Sequence, residues 1–227
     1  LLIIFDLDDT LVDTSGCITP VKLEDALKRL VQEGLDIPDF SEALNLLKRL
    51  DLAADSAKFA LSEFLEIHNA DPALLPIGIQ EIYDNISFDF PLNSLKDANE
   101  VLNDLSFFHQ LAIVTIGKTP QQLAKLKKAG IDSGIFSKII VAEAGNKKVH
   151  YQALADELGY APTEIVVCGD RIPIDLAPAR ELGYKTVQMR WGRGLNSKGQ
   201  PSDVDYKISS LLELKDIIAH LITISSF

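Results

Sequence analysis

The chain opens Leu1-Leu2-Ile3-Ile4-Phe5-Asp6-Leu7-Asp8-Asp9-Thr10, and the reading of this stretch decides the fold. Residues 1–7 form an apolar run broken only by Asp6. A strand reads this way when neither face meets water, which is the situation inside a parallel sheet. Similar runs recur at 111–115, 138–142, 165–168 and 185–189, and helical stretches separate them. Thr119 is placed to cap a helix with Pro120 at its first position, running to Gly130. Residues 149–158 carry Tyr151, Leu154, Ala155 and Leu158 at helical spacing and stop at Gly159; residues 174–182 stop at Gly183 in the same way. Strands alternating with helices of this length predict βαβ units. The fold class is therefore α/β, a parallel sheet with helices on both faces.

One region interrupts the alternation. From about residue 16 to about residue 90 no strand pattern occurs. Thr19-Pro20 opens an amphipathic helix with Leu23, Ala26, Leu27, Leu30 and Val31 on one side, closing near Gly34. Ser41 is placed to cap a second, with Ala43, Leu44, Leu46, Leu47 and Leu50. A third is expected over 55–67 and a fourth near 77–86. About 75 mostly helical residues inserted after the first strand predict a small bundle whose helices pack mainly on one another. Beyond it, 92–105 reads as a helix, 191–205 as a long surface loop and 210–221 as a closing helix. The expected division is a core of 1–16 and 92–227 around an insert of 17–91.

Composition narrows the function. The chain has 227 residues, 47% apolar and 24% charged, enough for a real core. With 33 acidic against 22 basic residues the net charge is −11, which argues against nucleic acid or an anionic membrane as the main partner. No apolar run reaches the roughly 18 residues of a membrane span. Two cysteines, Cys17 and Cys168, make no disulfide framework and read as reduced thiols of a cytoplasmic protein. The histidines are dispersed and give no metal spacing.

Four segments carry chemistry. Side chains alternate along a strand, so Asp6 and Asp8 point the same way, into the crevice at the carboxyl edge of the sheet. Two carboxylates there repel and lose hydration; a divalent cation or a shared proton relieves the cost, and hard oxygen ligands suit Mg²⁺. Cys168-Gly169-Asp170-Arg171-Ile172-Pro173-Ile174-Asp175 again sets acids beyond a strand, with Asp170 placed to complete a cation site. Asp175 reads equally as an acid complementing a helix N-terminus. In Ile113-Val114-Thr115-Ile116-Gly117-Lys118, the hydroxyl and the backbone N–H groups of Ile116 and Gly117 are candidate phosphate donors ahead of a helix start. Asn146-Lys147-Lys148 offers a cation for a phosphate and for the acids.

Together these segments resemble the haloacid dehalogenase superfamily, whose members are mostly phosphatases. Asp6-Leu7-Asp8-Asp9-Thr10-Leu11-Val12 is similar to its first motif, Thr115 to its second, Lys147 or Lys148 to its third, and Gly169-Asp170 with Asp175 to its fourth. The resemblance implies a Rossmann-like core with the Asp6 strand central, and an insert at the place of the family's helical C1 cap. It further implies that Asp6 is the nucleophile that forms an aspartyl-phosphate, and that Asp8 is the general acid and base. Mg²⁺ would be held by Asp6, the backbone carbonyl of Asp8, Asp170 and, directly or from behind these ligands, Asp175. Thr115, the N–H groups after it and a lysine would hold the phosphoryl oxygens. The cap would close over the site and read the leaving group. Three departures stand out: Asp9 where many relatives have Gly, Ile116 where Asn is common, and no Lys-Pro in motif three, so Lys147 and Lys148 compete. Dehalogenases of the superfamily lack the second acid, so Asp8 favours phosphate chemistry. The expected activity is Mg²⁺-dependent hydrolysis of a small phosphorylated metabolite. A phosphomutase is the nearest alternative, and a phosphoaccepting signalling domain a more distant one.

Overall fold

The computed structural model describes residues 1–54, 56–84, 88–143 and 145–225. The chain divides into two compact units, one of Thr14–Pro91 and one of Leu1–Asp13 with Leu92–Phe227.

In the first unit a π-helical turn, Thr14–Ile18, leads into α1 (Thr19–Gln32), followed by α2 (Phe40–Ala53), α3 (Ala57–Ile67) and α4 (Leu74–Tyr83). Leu23, Leu27 and Leu30 of α1 pack with Leu47, Leu61, Phe64 and Leu74 into one apolar core. The apolar stripes that recur every three or four residues meet there, which is what holds short helices of this kind. The cap of α2 is Asp39, not Ser41: its Oδ1 accepts the Glu42 N–H at 2.9 Å, so the helix starts at Phe40. Ser56 caps α3 through the Phe59 N–H; Asp55, expected in that helix, lies outside the described residues. The fourth helix starts earlier than expected and ends at Tyr83; Ile86 also lies outside the described residues.

The second unit is built on one sheet of six parallel strands: β1 (Leu2–Phe5), β2 (Gln110–Ile116), β3 (Phe136–Ala142), β4 (Ile165–Gly169), β5 (Lys185–Met189) and β6 (Tyr206–Ile208). Their order is β3-β2-β1-β4-β5-β6, so the strand sequence reverses direction between β1 and β4. Ligands of open α/β sheets bind at the carboxyl ends of strands beside such a reversal. Every residue of β1 is buried, as its apolar run requires. Leu2 and Ile4 join Ala112, Val114, Ile165 and Val167 in the core, covered by Tyr151 and Leu154 of α7 (Lys148–Leu158) and by Ala179 of α8 (Ala177–Glu181). Ile3 and Phe5 point to the opposite face. The remaining helices are α5 (Ala98–Ser106), α6 (Thr119–Lys128) and α9 (Leu212–Ser225). Lys118, one residue before the expected Thr119, is the N-terminal boundary residue of α6.

Two stretches depart from the sequence pattern. Residues 92–97 are not helical, because their backbone pairs with the segment leaving β1. Val12 and Ser94 form an antiparallel bridge, Asp13 N–H donates to Asn93 O at 3.0 Å, and Leu95 N–H donates to Leu11 O at 2.8 Å. The expected helix over 174–182 splits into a π-helical turn, Ile172–Leu176, and the short α8. The 191–205 segment is the expected surface loop, most of it exposed, and it is held against the sheet unit at several points. Ser197 Oγ accepts the Ile172 N–H at 2.8 Å, Gln188 Nε2 donates to Gly194 O at 3.1 Å, and the three-residue β6 follows directly.

Candidate active site

Asp6 follows β1 and Asp170 follows β4, and the two strands are neighbours with Phe5 opposite Cys168. The pairing continues one step into the crevice, where Asp6 N–H donates to Cys168 O at 2.9 Å. Asp175 arrives from the π-helical turn. A Cβ at Gly169 would lie 2.5 Å from Asp175 Cβ, so a side chain at Gly169 would push Asp175 out of the crevice. The Arg171 N–H donates to Asp175 Oδ2 at 2.8 Å and fixes its rotamer. Carboxylate oxygens of Asp6, Asp170 and Asp175 lie within 4.8 Å of one another, and all three residues are buried.

Lys147 is the cation of this cluster. It is 1% exposed, and its Nζ donates to Asp6 Oδ1 at 2.5 Å and to Asp175 Oδ1 at 2.6 Å. Lys148 turns the other way, to an exposed pair with Glu181 Oε2 at 2.7 Å. Asn146 Oδ1 accepts the Lys148 N–H at 2.8 Å in a tight turn that sends the two adjacent lysines in different directions. Of the two candidates, then, the crevice holds Lys147 and not Lys148.

The electrostatics follow from burial. Burial pushes the Asp6 carboxyl up to about 7; Lys147 pulls against this, while Asp175 and Asp8 add to it. Asp170 is raised well above the carboxylate range by burial and then by Asp175, Asp6 and Asp9. For Lys147 burial works against the ammonium, but Asp175 and Asp6 outweigh it and hold its proton above the ordinary lysine range. Lys147 thus pairs with two of three carboxylates that lie together in a desolvated crevice. Fully ionised, they leave two negative charges to balance, and the donors are all hard oxygens. A divalent metal ion fits both the charge and the donor set.

Asp8 lies outside that acid cluster. Its Oδ1 accepts from Lys125 Nζ at 2.7 Å and its Oδ2 from Gln122 Nε2 at 2.9 Å, both from α6. Gln122 Nε2 also lies 2.8 Å from Thr115 Oγ1 and 3.3 Å from Ile116 O. Thr115 is buried at the end of β2. The Gly117 N–H donates to Ala142 O at 2.8 Å, which removes it from the expected phosphate donors. Gly117 contributes space instead: a Cβ there would lie 3.1 Å from Gln122 Cδ.

The sequence reading missed Gln122 and Lys125. Gln122 is buried beside Leu126 on α6, a polar residue on the apolar face of the helix. The sequence reading also missed Gly194, where a Cβ would lie 2.5 Å from Met189 O and 2.9 Å from Asp170 Cβ, so that the segment after β5 lies against the Asp170 loop. Trp191 Nε1 donates to Asp13 Oδ1 at 2.8 Å, linking the same segment to the turn after β1.

A doubly wound sheet with buried acids where its strand order reverses suits an enzyme with its ligand in that crevice, and the chain belongs to a hydrolase family: the haloacid dehalogenase-like hydrolase family matches residues 1–183. Among individual relatives, the glyceraldehyde 3-phosphate phosphatase of Methanocaldococcus jannaschii is 32% identical, over 96% of this chain and 97% of its own. Two solved structures share the fold. A predicted phosphoglycolate phosphatase of Haemophilus somnus 129PT superposes with TM-score 0.72 at 21% identity, covering 96% of this chain and 97% of its own. A HAD-hydrolase of Bacillus subtilis bound to magnesium gives 0.65 at 18%, covering 95% and 97%. No described helix is long and apolar enough to cross a membrane.

Proposed function

We propose that this protein is a Mg²⁺-dependent phosphatase of a small three-carbon phosphate ester, with glyceraldehyde 3-phosphate the first candidate. That it hydrolyses a phosphoric monoester follows from its family and from the relative in Methanocaldococcus jannaschii, whose name supplies the candidate substrate. The observation that carries the mechanism is the Asp6 carboxylate, buried beside Lys147, Asp170 and Asp175 at the end of the central strand.

In this reading an Asp6 oxygen attacks phosphorus, the bond to the ester oxygen breaks, and Asp8 gives that oxygen a proton. Water, deprotonated by Asp8, then attacks the aspartyl-phosphate, releasing phosphate and restoring Asp6. Lys147 stabilises charge on the phosphoryl oxygens, and the Thr115 hydroxyl donates to one of them. Asp6, Asp170, Asp175 and the Asp8 carbonyl would hold Mg²⁺, which offsets charge between the carboxylates and the phosphate when bound. The helical unit of Thr14–Pro91 would act as a cap that excludes water and reads the leaving group.

Phosphate release from glyceraldehyde 3-phosphate tests the reading. Asp6→Asn is expected to abolish it with the circular dichroism spectrum unchanged. Chelation should do the same reversibly, with Mg²⁺ restoring turnover. Metal-independent turnover by the Asp6→Asn protein would overturn the mechanism.

A further inference from the structure

We propose that Gln122 and Lys125 of α6 are positioning residues that aim two working side chains at once, the carboxyl of Asp8 and the hydroxyl of Thr115. The proposal rests on the phosphatase reading for the roles of those two groups, and on geometry for the rest.

Hydrogen-bond chemistry fixes the arrangement. Asp8 accepts on both oxygens, with a lone pair left for the proton it transfers, and the Gln122 group 2.9 Å from its Oδ2 is the amide nitrogen. That nitrogen has two protons and three acceptors within reach. The short contacts, to Asp8 Oδ2 and to Thr115 Oγ1 at 2.8 Å, take them; the 3.3 Å contact to Ile116 O is the weak one. Thr115 Oγ therefore receives a proton from Gln122, and its own single proton is left to point away from α6. A phosphoryl oxygen is the acceptor that the proposed reaction brings to it. The same amide holds one oxygen of Asp8, and Lys125 holds the other at 2.7 Å.

The setting is rigid. Gln122 is 2% exposed, and the missing side chain of Gly117 leaves the room it occupies. Lys125 and Asp8 are 13% and 30% exposed at their side chains, so the carboxylate is anchored from behind while part of it stays open. A surface ion pair of purely structural value would touch neither Thr115 nor a buried amide. Here one helix face joins the candidate general acid to the candidate phosphate donor.

The leaving group separates positioning from mere stability. A p-nitrophenolate departs without a proton, whereas an alkoxide needs one. With Mg²⁺ present, the single-turnover rate of leaving-group release, which excludes the shared water step, is measured on p-nitrophenyl phosphate and on whichever of glyceraldehyde 3-phosphate, glycerol 3-phosphate and phosphoglycolate the wild type cleaves best. Lys125→Met should lower this rate on the alkyl ester at least about tenfold and on p-nitrophenyl phosphate less than about threefold, since only the former needs the general acid in that step. KM should change little, and Lys125→Arg should recover most of the alkyl rate. Gln122→Met should lower the rate on both esters, because Thr115 serves both phosphoryl groups, and more on the alkyl ester. Equal losses on the two esters in Lys125→Met, or no loss, would overturn the proposal. Should Gln122→Met fail to fold, Lys125→Met decides alone. A wild type that releases phosphate from none of the esters fails the phosphatase reading itself, a result distinct from failure of the positioning roles.

Discussion

Asp9 adopts a left-handed backbone, φ 57°, in the turn that follows β1. Asp and Asn enter that region more easily than other residues with a Cβ, and Gly enters it freely. This gives a physical reason why Gly and Asp both suit the position. Asp9→Ala should be less stable than Asp9→Gly by about 1 kcal/mol in denaturant unfolding, since both lack the carboxylate and only Ala pays the backbone strain. Asp6 makes a pH prediction. Its carboxyl is raised from 3.8 to about 7 in the folded protein, chiefly by burial. A group shifted this way favours the folded state fully below pH 3.8 and loses that advantage as pH rises through about 7. Without divalent cation the melting temperature should fall between about pH 5 and pH 8, and the gain on adding Mg²⁺ should grow over the same range. A Mg²⁺ gain equal at both pH values would contradict this. At this scale the acids and Thr115 were legible because they sit at strand ends, where a buried run stops and a polar side chain has nowhere to go but the crevice. Gln122 and Lys125 were not, because a polar residue on a helix reads as solvated until the partner 114 or 117 residues away is known.

The segment between β5 and β6 is the surface loop its composition suggests, but composition does not show what holds it. Its glycines, serines and lysine look like a surface loop by composition. In the fold, Gly194 and Gly199 are places where the backbone runs against the Asp170 loop, and a Cβ at Gly199 would lie 2.2 Å from Ile172 Cγ2. Glycine at a close approach and glycine in a mobile loop are the same letter, and only the neighbour tells them apart. Gly194→Ala should therefore act at the candidate metal site. With Met189 O at 2.5 Å as the obstacle, backbone rather than a side-chain tip must move, and Asp170 moves with it. Mg²⁺ affinity, read from the concentration that restores activity or raises the melting temperature, should weaken by about 10–100-fold, the usual effect of disturbing a ligand's support. Unchanged affinity would show that the segment does not brace Asp170. The same limit explains residues 92–97: their apolar spacing suits a helix, but pairing with residues 11–13 takes their backbone groups first. β6, three residues at the sheet edge, is too short for a period-two pattern to register.

For the whole molecule, five of the six strands were readable because they rest on long apolar runs, and the helical stretch because its pattern repeats at 3.6. The helical unit has its own core and leaves the sheet unit through segments 11–13 and 93–95, which are hydrogen-bonded to each other. Replacing 14–91 with a short Gly-Ser linker should therefore leave a folded sheet unit with a cooperative melt. That protein should still cleave p-nitrophenyl phosphate slowly in Mg²⁺ while losing most of its preference among metabolites, as measured by kcat/KM across a panel. Retained preference would place specificity in the sheet unit instead. The strand order has a consequence for synthesis as well. Leu2 pairs with Gln110 on one side and with Ile165 on the other. At about 5–20 residues per second, the ribosome completes the first of these partners several seconds after β1, and the second later still. β1, all four of whose residues are apolar, is thus made well before its neighbours and must wait, on the order of ten seconds, before both of its edges are covered. During that interval the nascent chain offers an uncovered hydrophobic ribbon to whatever chaperones or neighbouring chains it meets.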